Sequence, residues 1–325
     1  MKHLVNKKVL VTGGAGFIGS HLVKRLVKVG ADVSVIVKYK SIFDCVRLSS
    51  VWDNIKVIEA DLRNIDSVIQ LKSSYFDNIF HLAAYNHVGD SFIHFQEALQ
   101  SNLISTANLF EYGPDYGRFI YTATSEVYGY QDSVPFKEEK IPFPISPYSI
   151  GKYAGELYAR MKAFQDSTKE IICLRPFNTF GPYQSERAII PELIIKCLKG
   201  ISIDTTEGKQ TREFNYVDNI IDGFLLAAKV NKISVEIINI GSGEDIAIRD
   251  LVFKIHKLCE SDSELRIGAL KYRPTEIWKM KADNTRAKKY LKWTPKTTFD
   301  KGLSLTVDWF RKFVRLYFEG ELKNL

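Results

Sequence analysis

Apolar and polar residues follow two alternating patterns along the first half of the chain. Short runs rich in β-branched residues are typical of buried strands, and the stretches between them repeat apolar residues at helical spacing. The predicted strands cover residues 8–12, 33–37, 56–59, 79–82, 119–122 and 170–174, and the predicted helices cover residues 19–29, 65–71, 95–112 and 148–164. Because parallel strands need a helix to return the chain, this order predicts an α/β fold with a doubly wound parallel sheet.

Shorter helices separated by prolines follow after Pro176. They are predicted over residues 189–198, 217–228, 248–259 and 303–318. We therefore expect two units. Residues 1–175 hold the main sheet, and residues 176–325 form a smaller mixed α/β domain that is interleaved with the first.

A glycine-rich turn joins the first predicted strand to the first predicted helix. Gly13 can adopt the tight turn, Gly16 lets backbone N–H groups approach a pyrophosphate, and Gly19 lets the helix pack closely on the strand. The N-terminus of the helix adds free N–H donors and a positive dipole. This context is typical of a dinucleotide-binding site, whereas a structural turn that uses glycine is the alternative for an isolated motif.

The residue that contacts the 2′ position of a dinucleotide is expected at the end of the second strand. An acidic side chain there would hold the ribose diol of NAD, but Lys38 occupies the place and favours the 2′-phosphate of NADP. A lysine on a solvated loop is the alternative. Asp61 and Leu62 follow the third strand and are placed to meet the adenine edge. The sequence thus predicts bound NAD(P), with a preference for NADP.

Charge and cysteine content exclude several classes of function. Lysine and arginine exceed the acidic residues by 45 − 38 = 7, but they are scattered, so a nucleic-acid partner is not expected. The four cysteines form no C-x-x-C pair, so we expect no metal site and a reducing compartment. The chain lacks an apolar run of membrane-spanning length, and its first residues do not resemble a signal peptide. A cytoplasmic protein without a membrane partner is expected.

Tyr148 and Lys152 lie four residues apart in a predicted helix, so their side chains share one face. An ammonium group near a phenol favours the phenolate, which would let Tyr148 act as a base near neutral pH. Thr124, Ser125 and Glu126 follow the fifth strand, at the sheet edge where ligands bind. A hydroxyl group and a carboxylate are therefore expected to face the same cleft as Tyr148, although a turn cap and a surface charge are the alternatives.

Five segments spread over the chain resemble one enzyme family. They are TGGAGFIGS at 12–20, HLAA at 81–84, TSEVYG at 124–129, YSIGK at 148–152 and RPFN at 175–178. Together they are similar to the extended short-chain dehydrogenase/reductases, in particular the nucleotide-sugar epimerases and dehydratases. The resemblance implies a Rossmann domain with bound NAD(P) over residues 1–175 and a nucleoside-diphosphate-sugar domain over residues 176–325. It also implies transient oxidation of sugar C4 and a role in the synthesis of glycan precursors.

The resemblance also implies roles for individual residues. Tyr148 would take the proton of the C4 hydroxyl group, Lys152 would bind the nicotinamide ribose, and Thr124 would hydrogen-bond the sugar oxygen. The expected cofactor contacts are Gly13, Gly16, Phe17, Ile18, Gly19, Lys38, Asp61, Leu62, Leu82, Ala83, Ala84, Tyr148 and Lys152. The expected substrate contacts are Thr124, Ser125, Asn178, Arg187, Arg212 and Arg273.

The triplet at 124–126 bears on the net reaction. Thr-Ser-Glu resembles the GDP-mannose 4,6-dehydratases and the UDP-glucuronate decarboxylases, whereas epimerases usually carry small residues there. A 4,6-dehydratase in which Glu126 removes the C5 proton is the main hypothesis. A 4-epimerase, a decarboxylase and a C4 oxidoreductase are the alternatives, and a regulator that binds NADP without turnover is a remote one. The sequence does not determine which nucleotide base and which sugar the substrate carries.

The two long predicted helices at 95–112 and 148–164 carry apolar residues over much of their surface. The resemblance implies a homodimer in which two protomers pair these helices into a four-helix interface. The alternative is that the apolar residues only cover the sheet.

Overall fold

Seven parallel strands form the central sheet. The computed structural model describes residues 2–38, 46–230, 236–272 and 276–318. The strands are β1 (Lys8–Thr12), β2 (Asp32–Val37), β3 (Ile55–Glu59), β4 (Tyr75–His81), β5 (Asp115–Thr122), β6 (Glu170–Pro176) and β11 (Glu236–Ile240). They lie in the order β3-β2-β1-β4-β5-β6-β11, with every neighbouring pair parallel. The predicted doubly wound parallel sheet is confirmed.

Helices cover both faces of this sheet. The helices are α1 (Phe17–Lys28), α2 (Ile65–Ile69), α3 (Phe95–Leu99), α4 (Ser105–Tyr112), α5 (Pro147–Gln165), α6 (Ile189–Leu198), α7 (Val217–Ala227), α8 (Ile248–Cys259) and α9 (Phe299–Phe318). Alternate strand residues point to opposite faces, so Val9 and Val11 pack in a core with α1 and α7. Leu10, between them, packs in a second core with α4 and α5. Both faces are buried along the inner strands, which explains why those strands read as continuous apolar runs, whereas the edge strand β3 is partly exposed.

The helix predicted over residues 95–112 is interrupted. A π-helical turn, Gln100–Ile104, separates α3 from α4. Asn102 in this turn is buried, accepts a hydrogen bond from the Tyr85 backbone N–H at 2.9 Å and donates one to the Tyr85 carbonyl at 3.1 Å. Through Asn102, the π turn therefore holds Tyr85 in the segment that follows β4. Such turns are frequent at functional sites.

Strand β11 was not among the predicted strands. It pairs with β6 from Glu236 opposite Ile172 to Ile240 opposite Pro176. A segment well beyond residue 175 thus completes the main sheet, so the two predicted units share one sheet. The assignment of residues 1–175 to the cofactor and 176–325 to the substrate stays a prediction.

Three two-stranded sheets lie in the second part of the chain. The pairs are β7 (Thr179–Phe180) with β10 (Asn215–Tyr216), β9 (Thr211–Glu213) with β12 (Asp245–Ala247), and β8 (Ile203–Thr205) with β13 (Leu265–Ile267). Helices α6, α8 and α9 pack against one another. Among the described residues, no helix combines the length and apolar character needed to span a membrane.

Candidate active site

The carboxyl ends of β1, β4 and β5 lie side by side. Thr12 pairs with His81, and His81 pairs with Tyr121. The glycine turn, the HLAA segment and residues 123–129 leave the sheet at this edge, which is where ligands bind in doubly wound folds.

The glycine turn forms a close backbone cradle. Gly13 has a φ of +67°, and a Cβ atom there would lie 2.7 Å from the backbone nitrogen of Ala83. A Cβ atom on Gly19 would overlap the carbonyl oxygen of Gly13. Gly16 is the N-cap of α1, and no side chain caps this helix. The turn therefore requires glycine at Gly13 and Gly19 and leaves helix N–H donors without a side-chain acceptor.

Two adjoining cavities follow the sheet edge. The first, of about 280 Å³, is called the outer cavity, and the second, of about 260 Å³, is called the inner cavity. The outer cavity is lined by the predicted residues Gly13, Gly16, Lys38, Asp61, Leu62, Leu82, Ala83 and Ala84. The inner cavity is lined by the predicted residues Gly13, Gly16, Phe17, Ile18, Gly19, Leu82, Ala84, Thr124, Ser125, Glu126, Tyr148, Lys152 and Asn178. The fold thus brings most of the predicted site residues together.

The outer cavity contains an ionic network that the sequence did not reveal. Lys38 faces Glu97, with 3.7 Å between Nζ and Oε1. Arg63 pairs with Asp61 at 2.6 Å and with Glu97 at 3.4 Å. The Arg63 guanidinium holds the pKa of the Asp61 carboxyl below its usual range. Among the described residues, two cations and two anions therefore lie together at the place where Lys38 is expected to favour a phosphate.

A buried histidine supports the wall between the glycine turn and the HLAA segment. His81 Nδ1 lies 2.7 Å from the Thr12 hydroxyl oxygen, and its Nε2 lies 3.0 Å from the Thr106 hydroxyl oxygen. The Thr12 oxygen also accepts a hydrogen bond from the backbone N–H of Ala83 at 3.1 Å. Burial lowers the pKa of His81 to about 3, so the ring is neutral. His81 acts here as a hydrogen-bonded support.

The groups with chemical potential meet in the inner cavity. Thr124 caps the short 3₁₀ turn Ser125–Tyr128, and its hydroxyl oxygen accepts a hydrogen bond from the Glu126 N–H at 3.2 Å. The same hydroxyl group also acts on the phenol of Tyr148, whose pKa it lowers. Ser146 caps α5 in a reciprocal capping box, which places Tyr148 in the first helical turn. Thr124, Glu126 and Tyr148 therefore line one cavity, and Thr124 is hydrogen-bonded to the Glu126 backbone.

Burial dominates the protonation of these groups. It raises the pKa of Tyr148 to about 12, although the Thr124 hydrogen bond opposes the rise. It lowers the pKa of Lys152 to about 7 and raises the pKa of the Glu126 carboxyl, with the Arg212 charge opposing the latter. The direction for Tyr148 is opposite to the one predicted from the Tyr–Lys spacing, because burial is the largest influence on the phenol.

The predicted substrate contacts are only partly assembled. Asn178 lines the inner cavity and donates a hydrogen bond to the Glu213 carbonyl at 3.1 Å. Arg212 is outside the cavity lining and pairs with Glu276 at 2.6 Å. Arg187 is likewise outside the lining and pairs with Asp90 at 2.6 Å. The prediction for Arg273 falls outside the described residues.

Some lining residues were missed by the sequence analysis. Thr122 lines the inner cavity, and its buried hydroxyl oxygen has no hydrogen-bond partner in the described part of the chain. Asn86 lines both cavities. A polar residue at the end of a strand was the available signal for Thr122. Within the described ranges, no three His, Cys, Asp or Glu side chains are grouped to hold a metal ion.

Comparisons with known proteins agree with this geometry. A family model described as GDP-mannose 4,6 dehydratase matches residues 10–306. A UDP-N-acetyl-alpha-D-glucosaminuronate decarboxylase from Bacillus cytotoxicus is 32% identical over 329 residues, and the match covers 95% of this chain and 99% of the decarboxylase.

A longer plant protein is also similar. The trifunctional UDP-glucose 4,6-dehydratase/UDP-4-keto-6-deoxy-D-glucose 3,5-epimerase/UDP-4-keto-L-rhamnose-reductase from Arabidopsis thaliana is 30% identical over 316 residues. The match covers 94% of this chain, but the chain spans only 47% of the length of the plant protein.

Among solved structures, the UDP-glucuronic acid 4-epimerase from Bacillus cereus in complex with UDP-glucuronic acid and NAD has a TM-score of 0.85. It is 30% identical, and the match covers 94% of this chain and 99% of the epimerase. A structural neighbour of this chain therefore binds both a nucleotide sugar and NAD.

Proposed function

The chain belongs to the GDP-mannose 4,6 dehydratase family, and from this premise we propose that it is a nucleoside-diphosphate-sugar 4,6-dehydratase. Its relatives include nucleotide-sugar dehydratases, 4-epimerases and decarboxylases, so it is a nucleotide-sugar-modifying enzyme. The observation that carries the choice of dehydratase is Glu126. This carboxyl group lines the inner cavity near Thr124 and Tyr148, and burial raises its pKa.

The cofactor site fits a nicotinamide dinucleotide. The close approach at Gly13 and the uncapped start of α1 would hold its pyrophosphate. Lys152 and the unpartnered Thr122 hydroxyl group would contact its nicotinamide half in the inner cavity. When bound, oxidised NAD(P) accepts a hydride from sugar C4 and returns it at C6, and its positive ring favours the phenolate form of Tyr148.

Oxidation at C4 needs a base at the C4 hydroxyl group. Tyr148 takes that proton, and Thr124 holds the same oxygen through its hydroxyl group. Because Thr124 and Tyr148 line the same cavity, both can contact one oxygen of the sugar. Charged Lys152 next to the cavity stabilises the phenolate that results.

Elimination of water needs a group that is first a base and then an acid. Once C4 is a ketone, the C5 proton is acidified and Glu126 removes it. Glu126 then gives the proton to the C6 hydroxyl group, which departs as water, and C5 takes up a solvent proton when the hydride is returned to C6. A carboxyl group with an ordinary pKa would be a weak acid catalyst near neutral pH. The raised pKa of Glu126 brings it closer to the range that suits both steps.

The diphosphate and the base of the substrate would bind toward the second part of the chain. We propose Asn178, Arg187, Arg212 and Arg273 for the diphosphate and Ser125 for the sugar. In the described residues, Arg187 and Arg212 each pair with one carboxylate, so each would exchange an ionic partner when substrate binds.

A decarboxylase is the second candidate, since the decarboxylase from Bacillus cytotoxicus covers nearly the same length. Such a substrate carries a carboxylate at C6, next to the position proposed for Glu126. Among the described side chains that line the inner cavity, Lys152 is the one cation and Glu126 supplies the one carboxyl group. This charge balance favours an uncharged C6 hydroxymethyl group. The 4-epimerase and C4-oxidoreductase alternatives use the same Tyr148 and Lys152.

We further propose NADP as the cofactor, a homodimer as the assembly and the cytoplasm as the location. Lys38 supports NADP, although Glu97 faces it. Exposed apolar side chains on α5, among them Leu157 and Met161, support the predicted pairing of helices between two protomers. Cys173, Cys197 and Cys259 are free, buried thiols, which suits a reducing compartment.

The test is incubation of the purified protein with UDP-, dTDP- and GDP-hexoses and the matching uronates. A 4-keto-6-deoxy product from one hexose, identified by mass and by the loss of one water, supports the dehydratase. Release of CO₂ from a uronate, or a change of configuration at C4 with the C6 hydroxyl group retained, would replace it with the decarboxylase or the epimerase. Cofactor binding without turnover of any sugar would support the remaining alternative, a regulator that binds NADP.

A further inference from the structure

A fully buried ion pair lies beneath the inner cavity. Glu156 on α5 and Arg175 on β6 are 0% and 1% exposed. Arg175 donates two hydrogen bonds to the Glu156 carboxylate, from Nε to Oε2 at 2.8 Å and from Nη2 to Oε1 at 2.6 Å. The guanidinium also lies 4.9 Å from the centre of the Tyr128 ring. Burying two charges is costly, and a well-packed apolar pair is often as stable, so stability alone does not explain this pair.

The pair lies one helical turn from Lys152. Glu156 follows Lys152 by four residues, so the two side chains share the buried face of α5. Lys152 is itself only 2% exposed, and it lines the inner cavity. The Lys152 ammonium also lies 4.6 Å from the centre of the Tyr121 ring. Arg175 fixes both oxygens of Glu156, which therefore has one orientation beside Lys152.

Other titratable groups that face Lys152 contribute less. On α5 the remaining one is Tyr148, while β5 presents Tyr121 and β4 presents the neutral His81. Strand β6 presents Cys173, whose thiol has a pKa that burial raises. Burial lowers the pKa of Lys152 to about 7, and the Glu156 carboxylate is the largest influence that opposes this fall. Glu126 lines the same cavity, but burial raises the pKa of its carboxyl group. Among these described groups, Glu156 is thus the carboxylate that a partner cation keeps charged.

We propose that Glu156, clamped by Arg175, is a positioning residue that keeps the Lys152 side chain charged and directed into the inner cavity. This rests on the proposed function, in which Lys152 holds the cofactor. The pair then serves cofactor binding and the reactivity of Tyr148 through Lys152, without touching either reactant. Without the Glu156 charge, Lys152 would already be largely neutral at neutral pH and would bind the cofactor poorly there.

The test measures the dissociation constant of NAD and NADP across the pH range from mildly acid to mildly alkaline, without any sugar present. In the wild type, affinity should fall at alkaline pH as Lys152 loses its proton. Glu156→Gln should move this fall to lower pH by about one pH unit or more, because an opposite charge at close range shifts a pKa by that amount. At mildly acid pH the affinity should stay within about threefold of the wild type, since Lys152 is charged in both proteins.

Glu156→Gln leaves Arg175 as an unpaired buried cation and can fail to fold. The double variant Glu156→Gln/Arg175→Met removes both charges at similar volume and should show the same displaced profile. Glu170→Gln is the matched control, because it breaks the ion pair with Arg118 at the opposite end of β6 and should leave the profile unchanged.

Three results would overturn the proposal: a flat wild-type profile, a folded double variant with the wild-type profile, or an equal loss of affinity at every pH. An equal loss of affinity at every pH would mean that Glu156 and Arg175 only support the fold. Because the measurement needs no turnover, a failure here is separate from a failure of the dehydratase assignment.

Discussion

Replacement of Glu126 by glutamine separates the dehydratase from its alternatives. The amide has the shape of the carboxyl group but cannot accept the C5 proton. Hydride transfer from C4 depends on Tyr148 and should continue, so reduced cofactor should appear on addition of sugar and persist. General acid–base groups contribute about 10²- to 10⁴-fold, so formation of the 6-deoxy product should slow by at least about 10²-fold. That loss corresponds to roughly 3 kcal/mol in the barrier to elimination.

The variant should fold at least as well as the wild type. A carboxyl group whose pKa is raised in the folded protein binds its proton more tightly there than in the unfolded chain. Its charge therefore opposes folding above the unfolded pKa, and the penalty disappears as the pH falls below that value. Glu126→Gln removes the penalty, so the melting temperature should be equal or higher at neutral pH and unchanged in acid. If Glu126→Gln forms the product slowly but is at least as stable as the wild type, the substitution blocks a chemical step and not folding.

The assay follows the absorbance of reduced nicotinamide and the incorporation of solvent deuterium at C5 of the product. Deuterium should enter in the wild type and be absent in Glu126→Gln. Glu276→Gln is the control, because Glu276 also lies near Glu126 but pairs with Arg212 and does not line the inner cavity. Normal turnover by Glu126→Gln, or a wild-type product that keeps its C6 hydroxyl group and carries no label, would refute the reasoning.

Three further predictions concern the base, the cofactor and the assembly. Tyr148→Phe should lower kcat at least about 10²-fold with cofactor affinity retained; retention of a tenth of the activity, measured by product formation, would contradict this. Lys38→Asp should move the ratio of measured dissociation constants from NADP toward NAD, and Glu97→Gln should move it the other way; tighter NAD binding by the wild type would show the assignment to be wrong. Leu157→Glu should convert a dimer to a monomer in light scattering, whereas Ile69→Glu, at an equally exposed site on α2, should not; a monomeric wild type rejects the dimer.

Local patterns were sufficient to predict much of the molecule. The inner strands of the first half could be predicted because both of their faces are buried, which makes their apolar runs continuous. The glycine turn could be predicted because strand, turn and helix are adjacent in sequence, although Gly13 itself closely approaches the distant Ala83. The four-residue spacing of Tyr148 and Lys152 places both residues on one helix. The sheet edge then brought them together, since parallel strands share one carboxyl edge.

The remainder depends on contacts between distant segments. Glu97 faces Lys38 from a different helix, and Arg212 meets Glu276 across 64 residues of chain, so neither pairing follows from local spacing. The pKa of Tyr148 moved opposite to expectation for the same reason, because burial is a property of the whole fold. Strand β11 was missed because it lies in the part of the chain where prolines and short helices obscure the pattern.

Strand β11 is synthesised well after its partner β6, and this order constrains how the protein folds during synthesis. Until residues 236–240 leave the ribosome, the backbone groups of β6 opposite them have no strand to pair with. An open parallel edge of this kind is a template for association with other chains. Contacts between segments so far apart also slow folding. The N-terminal segment can therefore complete its sheet only after the intervening residues have been synthesised, and a shorter fragment ending near residue 175 would expose that edge permanently.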